Sequence, residues 1–372
     1  MTQPADRSRR NFMKTSGVTA GLLTLSPLVH AAGNDTIRVG LIGCGNRGTG
    51  AAEQAMLADP NVKLTAMADA FSDRLAFSLS TLTGTKAIKH KIDVPKERQF
   101  VGFDAYKQVI ASGVDVVLLT TPPHFRPMHL EAAVEAGKHI FAEKPVAVDA
   151  PGVRSVLKSA KKAEQKKLSL VSGLCLRYHQ GFQETVQRIH DKTVGEPHTL
   201  MATDYRGNIW TKERDPKWSD MEWQMRMWYY YTWLSGDFNV EQHVHYLDVC
   251  VWIVGGYPKS AVGMGGRQIR TGEEYGNIYD HHSVTYEYDN GARLFSNTRQ
   301  QKGCYKEMTA KVIGSKGHGE VSERHPDSKL YESLMMLGIA FQKGYLPLKR
   351  EAIETAIREI IRSETERNLR AF

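Results

Sequence analysis

The chain has 372 residues, 41% of them hydrophobic and 24% charged, which is enough for about two folded domains and does not fit a disordered protein. Its formal net charge of +8 is scattered, and residues 1–32 contribute +3 of it, so a nucleic-acid partner is not expected. No apolar stretch reaches the ~20 residues that a membrane-spanning helix needs, so stable membrane insertion is not expected either.

Residues 1–32 have the pattern of a twin-arginine export signal. Arg9 and Arg10 lie in a basic leader, residues 17–29 form a short apolar run, and residues 29–31 offer small side chains for cleavage. This route exports proteins that have already folded, often with a cofactor inside. We therefore expect a periplasmic protein that has the twin-arginine export machinery as a partner.

A glycine-rich loop follows the first predicted strand. Residues 36–42 form a buried apolar run, and the helical pattern of residues 51–58 begins just after the loop. In such a loop the glycines allow a tight turn, close approach of the backbone to a pyrophosphate, and close packing of the helix, whose first amides face the phosphates. The loop residues expected to contact a dinucleotide are Gly43, Gly45, Asn46, Arg47 and Gly48.

A second predicted strand, residues 62–68, ends at Asp69. An acidic residue at this place accepts hydrogen bonds from the adenosine ribose and repels a 2′-phosphate. NAD is therefore preferred over NADP, although Arg47 or Arg74 could weaken that preference.

Two more apolar runs end in polar residues that belong at the same edge of a parallel sheet. Residues 114–119 lead into Thr120, Pro122 and His124, which we expect near the nicotinamide half of the cofactor. For His124 an ordinary loop histidine is an equally good interpretation. Residues 139–142 lead into Glu143-Lys144-Pro145.

The glycine loop, the strand end at residues 120–124, and the segment from Ala136-Gly137-Lys138-His139 to Glu143-Lys144-Pro145 resemble the glucose-fructose oxidoreductase and inositol dehydrogenase family, called Gfo/Idh/MocA. The resemblance covers about residues 36–320. It implies an α/β fold with an N-terminal Rossmann domain, a doubly wound parallel sheet in residues 33–150. It also implies that Glu143 and Lys144 contact the cofactor, and that Lys144 reaches the substrate as a catalytic residue.

The second half of the chain predicts an α+β domain over residues 151–325. Segments of alternating hydrophobicity separated by turns indicate a mainly antiparallel sheet. They are residues 198–205, 260–268, 283–288, 292–298 and 306–313. The resemblance implies that this open sheet faces the cofactor on one side and a second subunit on the other, so a homo-oligomer is expected.

Residues 173–178 resemble the family's entry into this domain, where an arginine and an aromatic residue line the substrate pocket. The resemblance assigns these roles to Arg177 and Tyr178. A structural ion pair is the alternative for Arg177.

The chemistry is expected at residues 241–248. On one helix Glu241 and His245 would share a face, with Asp248 three positions further on. The family places an acidic residue four positions before its catalytic histidine. His245 is therefore expected to take the substrate hydroxyl proton, oriented by Glu241.

The same segment allows other interpretations. If it were a strand, Glu241, His243 and His245 could converge on a metal ion, with His281 and His282 nearby. The helical spacing of the apolar residues argues against this, and no metal is predicted. A core histidine paired with Glu241 is the third interpretation.

Five tryptophans fall within residues 210–233, together with three tyrosines. Their rings could stack on sugar faces, with Trp228 and Tyr229 as substrate contacts, or they could fill a core or a subunit interface. The two interpretations are equally supported. Residues 221–237 resemble the exported branch of the family, but Phe238-Asn239 stands where that branch commonly has His-Ile.

After about residue 321 the family resemblance ends. Residues 326–372 are predicted to form a helical tail with an amphipathic stripe. Over a short stretch this tail resembles the end of an indolepyruvate or 2-oxoacid:ferredoxin oxidoreductase domain. A divergent docking helix is the alternative.

Together these features predict an NAD-dependent oxidoreductase that oxidises a secondary hydroxyl of a sugar, cyclitol or glycoside. Outside the cytoplasm no NAD pool is available for exchange, so the cofactor must be held tightly and recycled. The alternative within the family is an NAD-dependent glycosidase or keto-sugar lyase that oxidises, eliminates and re-reduces. A third possibility is a non-catalytic protein that binds NAD and a sugar.

Overall fold

The computed structural model describes residues 36–322, so the predicted leader (residues 1–32) and tail (residues 326–372) lie outside the described residues. Two six-stranded sheets organise this part of the chain. The strands of the first sheet are β1 (Ile37–Ile42), β2 (Val62–Asp69), β3 (Gln99–Val101), β4 (Val116–Leu119), β5 (His139–Ala142) and β6 (Leu170–Ser172). Those of the second are β7 (Pro197–Arg206), β8 (Ser260–Gly266), β9 (His281–Glu287), β10 (Arg293–Gln300), β11 (Glu307–Gly314) and β12 (His318–Ser322).

Ten α-helices connect and cover the strands between residues 36 and 322. They are α1 (Asn46–Ala58), α2 (Ser72–Gly84), α3 (Ala105–Ala111), α4 (Arg126–Glu135), α5 (Ala150–Gln165), α6 (Gln180–His190), α7 (Asp220–Arg226), α8 (Thr232–Ser235), α9 (Asp237–Glu241) and α10 (Val244–Val254).

The first sheet is parallel throughout, in the order β3-β2-β1-β4-β5-β6. Its central strands are apolar runs buried on both faces, as helix-covered parallel strands require. The order reverses between β1 and β4, and at such a point the carboxyl ends of the strands border a ligand crevice. The predicted doubly wound Rossmann sheet is confirmed.

The second sheet has the order β12-β11-β7-β10-β9-β8. Only β7 and β10 pair in parallel, and every other neighbouring pair is antiparallel. The sheet packs one face against α6 and α10, through Phe182 and Ile189 on one helix and Tyr246 and Ile253 on the other. The predicted mainly antiparallel sheet is confirmed, and β12 is an additional strand.

The helix predicted over residues 241–248 is interrupted. Asp237 has a positive φ of 70°, α9 ends at Glu241, and α10 begins at Val244. In the turn between them the His243 amide donates to the Phe238 carbonyl, five residues back. The break changes which side chains can share a face with His245.

Between residues 36 and 322 no helix is both long and apolar enough to cross a membrane.

Candidate active site

The glycine loop has the backbone geometry that a dinucleotide needs. Gly43 has a φ of +101°, and a Cβ at Gly48 would lie 1.9 Å from the Gly43 carbonyl oxygen, so neither position accepts a side chain. A Cβ at Gly45 would meet no atom within 4 Å. Gly45 is also the N-cap of α1 and offers no side chain to its first amides. The loop therefore leaves open space and free N–H donors for a pyrophosphate.

A cleft of about 480 Å³ extends along the carboxyl edge of the first sheet. This volume suits a small-molecule ligand. Its floor includes all five predicted loop residues together with Asp69, Thr120 and Pro122. The opposite wall comes from the second half of the chain and consists of Trp210, Thr211, Lys212, Met225, Arg226 and Trp228.

Asp69 ends β2 at the cleft, as predicted. One carboxylate oxygen accepts the Cys44 amide at 2.7 Å and the other accepts the Phe71 amide at 2.9 Å. Burial raises the pKa of Asp69, although these amides oppose the shift. A carboxylate held here suits ribose hydroxyls and disfavours a 2′-phosphate. Arg74 lines the same part of the cleft.

Arg126 holds the ends of β4 and β5 together. Its side chain is 1% exposed and donates to the carbonyls of Leu119 at 2.7 Å, Thr121 at 2.8 Å and Glu143 at 2.9 Å. Burial lowers the pKa of Arg126 to about 10. The sequence interpretation missed this residue, which fixes the position of Lys144 relative to the cleft floor.

Glu143 connects the strand ends held by Arg126 to the glycine loop. Its carboxylate accepts Arg47 Nε at 2.5 Å, while another Arg47 nitrogen donates to Gln54 at 3.0 Å. Two of the three Arg47 guanidinium nitrogens are thus engaged by neighbouring side chains, while Arg47 still lines the cleft. The effect of Arg47 on the preference for NAD over NADP stays a prediction.

Lys144 forms a buried ion pair across the two halves of the chain. Its ammonium donates to the Glu241 carbonyl at 2.6 Å and to the Glu241 carboxylate at 3.0 Å. The two side chains are 13% and 7% exposed. The pair does not itself line the cleft, but the Lys144 amide donates to the carboxylate of Glu143, which binds the lining residue Arg47. The Lys144–Pro145 peptide bond is cis.

The expected Glu241–His245 pair is not formed, because the helix break turns Glu241 toward Lys144. His245 is largely buried, and its pKa is lowered to about 3 by burial and by the Lys144 and Arg206 charges. Its imidazole is therefore neutral at physiological pH. His245 Nδ1 and Glu241 Oε2 are both buried without a protein hydrogen-bond partner. Such atoms are costly unless a ligand or water satisfies them.

Arg177 and Tyr178 are not brought to the cleft. Arg177 makes a bidentate ion pair with Asp248 at 2.7 and 2.8 Å and stacks on Trp252, which matches the structural alternative. Asp248 is therefore not the third member of a catalytic set. The Tyr178 ring is 66% exposed.

The aromatic segment is mostly a core. Tyr229 is 1% exposed, its hydroxyl contacts Gln300 and it does not line the cleft, which matches the core interpretation rather than substrate contact. It packs in a cluster with Trp223, Met227, Tyr230, Phe238 and Ile278. Trp228 does line the cleft. His124 lies outside the lining and contacts the Trp233 ring edge-on, with centroids 5.1 Å apart, whereas Phe125 and His129 line the cleft instead.

The metal interpretation is not supported in this part of the chain. Among residues 36–322, no three His, Cys, Asp or Glu side chains are grouped so that they could hold a metal ion. His243 is fully buried and shares a hydrogen bond with Ser296 at 2.9 Å. The ring of His282 shares a hydrogen bond with Thr298 at 3.0 Å.

Comparison with known families decides what this combination of domains is. Residues 37–170 match the oxidoreductase family with an NAD-binding Rossmann fold, and residues 182–320 match the GFO/IDH/MocA C-terminal domain. The chain belongs to the Gfo/Idh/MocA family. It is an oxidoreductase with an NAD-binding Rossmann domain, and the glycine loop, Asp69 and the cleft volume fit that cofactor.

Within this family the chain is similar to the myo-inositol 2-dehydrogenase of Thermotoga maritima, with 26% identity over 284 residues, 76% of this chain and 74% of the relative. A glycosyl hydrolase family 109 protein of Shewanella pealeana is 29% identical over 180 residues, which cover 42% of this chain and 38% of that protein. The structure of GenD2, from gentamicin A biosynthesis, in complex with NAD has a TM-score of 0.60 at 19% identity and covers 77% of this chain and 72% of its own. That likeness shows the shared fold.

Proposed function

We propose that this family member oxidises a secondary hydroxyl of a sugar, cyclitol or glycoside with NAD. The observation that carries the proposal is the buried Lys144–Glu241 pair, together with the neutral imidazole of His245, whose pKa the nearby Lys144 charge helps to lower. An inositol dehydrogenase among the relatives supports the substrate class.

Bound NAD supplies the acceptor for the hydride that leaves the substrate carbon. The hydroxyl proton goes to His245, whose Nδ1 has no protein partner, and the C–O bond becomes a carbonyl. Lys144 stabilises the negative charge that develops on the oxygen. Glu241 holds the Lys144 ammonium in place and limits its repulsion of a protonated His245.

We further propose that the protein works outside the cytoplasm, as the twin-arginine pattern of residues 1–32 indicates. No NAD pool is available there, so a dehydrogenase that released NADH would stop after one turnover. The cofactor is therefore held between turnovers. It is regenerated either by reducing a second sugar or by re-reducing the first.

The second candidate activity is oxidation, elimination and re-reduction of one glycoside. Glu241 Oε2 favours it, because this buried carboxylate oxygen has no protein partner and could take up the proton that an elimination releases. A glycosyl hydrolase family 109 protein among the relatives supports a glycoside as the substrate.

We also propose that the open face of the second sheet joins two copies of the chain. Six of the seven residues of β8 are exposed, and Val262 and Met264, two residues apart, are 80% and 79% exposed. Apolar side chains on an exposed edge strand are a common site of subunit contact.

The test uses the purified full-length protein. We expect denaturation to release bound nicotinamide. Incubation with myo-inositol should then accumulate the reduced form, or incubation with glycosides should yield free sugar without net reduction. The first result supports simple oxidation and the second supports the elimination cycle. A protein that binds no NAD would contradict both.

A further inference from the structure

The aromatic segment of residues 207–236 crosses the dinucleotide cleft. It leaves the second sheet after β7 and returns at Gly236, just before α9. Between these points it supplies the whole wall of the cleft that faces the Rossmann sheet, including Trp210, Met225 and Trp228. We call residues 207–236 the strap.

Arg226 fastens the strap to the Rossmann domain beside the adenosine half of the cleft. Its two terminal nitrogens donate to the Asp73 carboxylate at 2.9 and 3.0 Å. Its guanidinium lies 4.1 Å from the centre of the Phe71 ring and 4.8 Å from that of Trp218. Asp73 is in the first turn of α2, four residues after Asp69, the predicted ribose ligand. The Arg226–Asp73 ion pair therefore lies at the end of the cleft where the adenosine is expected.

A second contact holds the other end of the strap. Trp233 meets His124 edge-on, with ring centroids 5.1 Å apart, at the turn after β4. The Trp233 indole nitrogen also donates to Gln224 within the strap at 2.8 Å. The strap thus touches the Rossmann domain at two places along the cleft.

The strap around these two contacts is a packed unit. Trp223 and Met227 are buried together with Tyr230, and the same cluster includes Phe238 and Ile278 of the second domain. Burial of these large side chains makes local unfolding of the strap costly. The contacts between the strap and the Rossmann domain are weaker than this packing, since Asp73 is 60% exposed and its ion pair with Arg226 is partly solvated.

We propose that the dinucleotide leaves and enters only when the strap opens, and that Arg226 is the positioning residue that keeps it closed through Asp73. This inference deepens the part of the proposed function in which NAD is retained between turnovers. Arg226 also lines the cleft, whereas Asp73 does not. A substitution of Asp73 therefore loosens the strap without removing a side chain from the cofactor site.

The test compares Arg226→Gln, Asp73→Asn and the double variant, all in the full-length protein. Each protein is loaded with labelled NAD, and loss of label is followed in excess unlabelled NAD. We expect NAD release to be about 10-fold faster in each single variant than in the wild type. Release from the double variant should be no faster than from either single variant, because both substitutions remove the same ion pair. Association should also speed up, because the same opening admits the cofactor. A residue that merely contacts the ligand would change release alone.

Arg214→Gln is the matched control, since Arg214 pairs with Asp220 inside the strap at 2.5 Å. It should release NAD at the wild-type rate. Unchanged release in a folded Asp73→Asn protein would overturn the strap proposal. Fast release from the wild type would instead contradict cofactor retention, while the ratio between variants would still report on the strap.

Discussion

Lys144 and Glu241 are 97 positions apart in the sequence, yet the ammonium of one contacts both the carbonyl and the carboxylate of the other. Each residue lies in a different domain. The contact ties the end of β5 to the end of α9, next to helix α10, which carries His245.

Variants of Lys144 should show that its effect on the stability of the fold is separate from its effect on turnover. Lys144→Met leaves a buried unpaired carboxylate and is expected to destabilise the fold by about 3–5 kcal/mol. Its turnover should fall by about 10³-fold, because the ammonium no longer stabilises the developing oxyanion. Lys144→Met/Glu241→Gln should regain most of the stability but not the turnover. Chemical unfolding and nicotinamide absorbance measure the two effects, and an active double variant would remove Lys144 from the mechanism.

His245→Ala should abolish reduction of NAD while leaving NAD binding unchanged, because the imidazole lies beyond the cleft lining. The lowered pKa of about 3 keeps wild-type His245 neutral. Turnover should therefore show no loss from its protonation between about pH 8 and pH 5, far above that pKa. Isothermal NAD titration and pH-rate profiles check both points. Retained turnover in His245→Ala would identify a different base.

Stability should fall in acid because of buried histidines such as His243. Burial and the nearby Arg206 charge lower its pKa to about 3, against ~6.5 in the unfolded chain. Between these two pKa values, His243 therefore binds a proton in the unfolded chain but not in the folded protein. The stabilising effect is complete above about pH 6.5 and is lost as the pH falls toward 3.

His243→Gln should flatten the decline of the melting temperature between about pH 7 and pH 4. Ser296→Ala removes the same hydrogen bond but keeps the histidine. It should lower the melting temperature at every pH and leave the slope as in the wild type. Equal slopes in all three proteins would show that His243 does not contribute to the acid response.

Gly45→Ala should lose NAD affinity without loss of stability in the cofactor-free protein. The new Cβ meets no protein atom within 4 Å and instead takes the space for the pyrophosphate. Gly84→Ala, also without neighbours within 4 Å but far from the loop, is the control and should bind NAD normally. Calorimetry measures the affinities. Normal binding by Gly45→Ala would move the pyrophosphate away from this loop.

Met264→Glu should convert the proposed dimer to monomer, because it puts a charge on the exposed face of β8. Leu157→Glu is a matched control at a 64% exposed position of α5 in the Rossmann domain. Light scattering after size-exclusion chromatography gives the masses. A monomeric wild type would rule out this interface.

The sequence predicted the Rossmann half well because its signals are local. The glycine loop, Asp69 and the Glu143-Lys144 strand end each follow directly from one strand and the turn after it. The Lys144–Glu241 pair could not be predicted in this way. The apolar spacing around His245 indicated one continuous helix and gave no sign of the break after Glu241.

Arg126 was overlooked although a local signal exists. It is the first residue of α4, where the helix dipole disfavours a cation, so an arginine there needs a specific partner. The strap was harder to predict. Trp228 and Tyr229 lie in a three-residue turn between α7 and α8, which is too short for periodicity to tell which ring faces the core. Trp228 at the cleft and Tyr229 in the core therefore looked alike in the sequence.

Arg226→Gln and related strap variants alter one wall of the cleft, but the opposite wall is built differently. One guanidinium, that of Arg126, ties three carbonyls from two strand ends into a rigid block that carries both the cofactor floor and Lys144. This block leaves little freedom to adapt to a new sugar. New substrate specificities in such an enzyme should therefore arise from changes in the second domain. The Rossmann domain would keep the cofactor floor and Lys144 in the same positions.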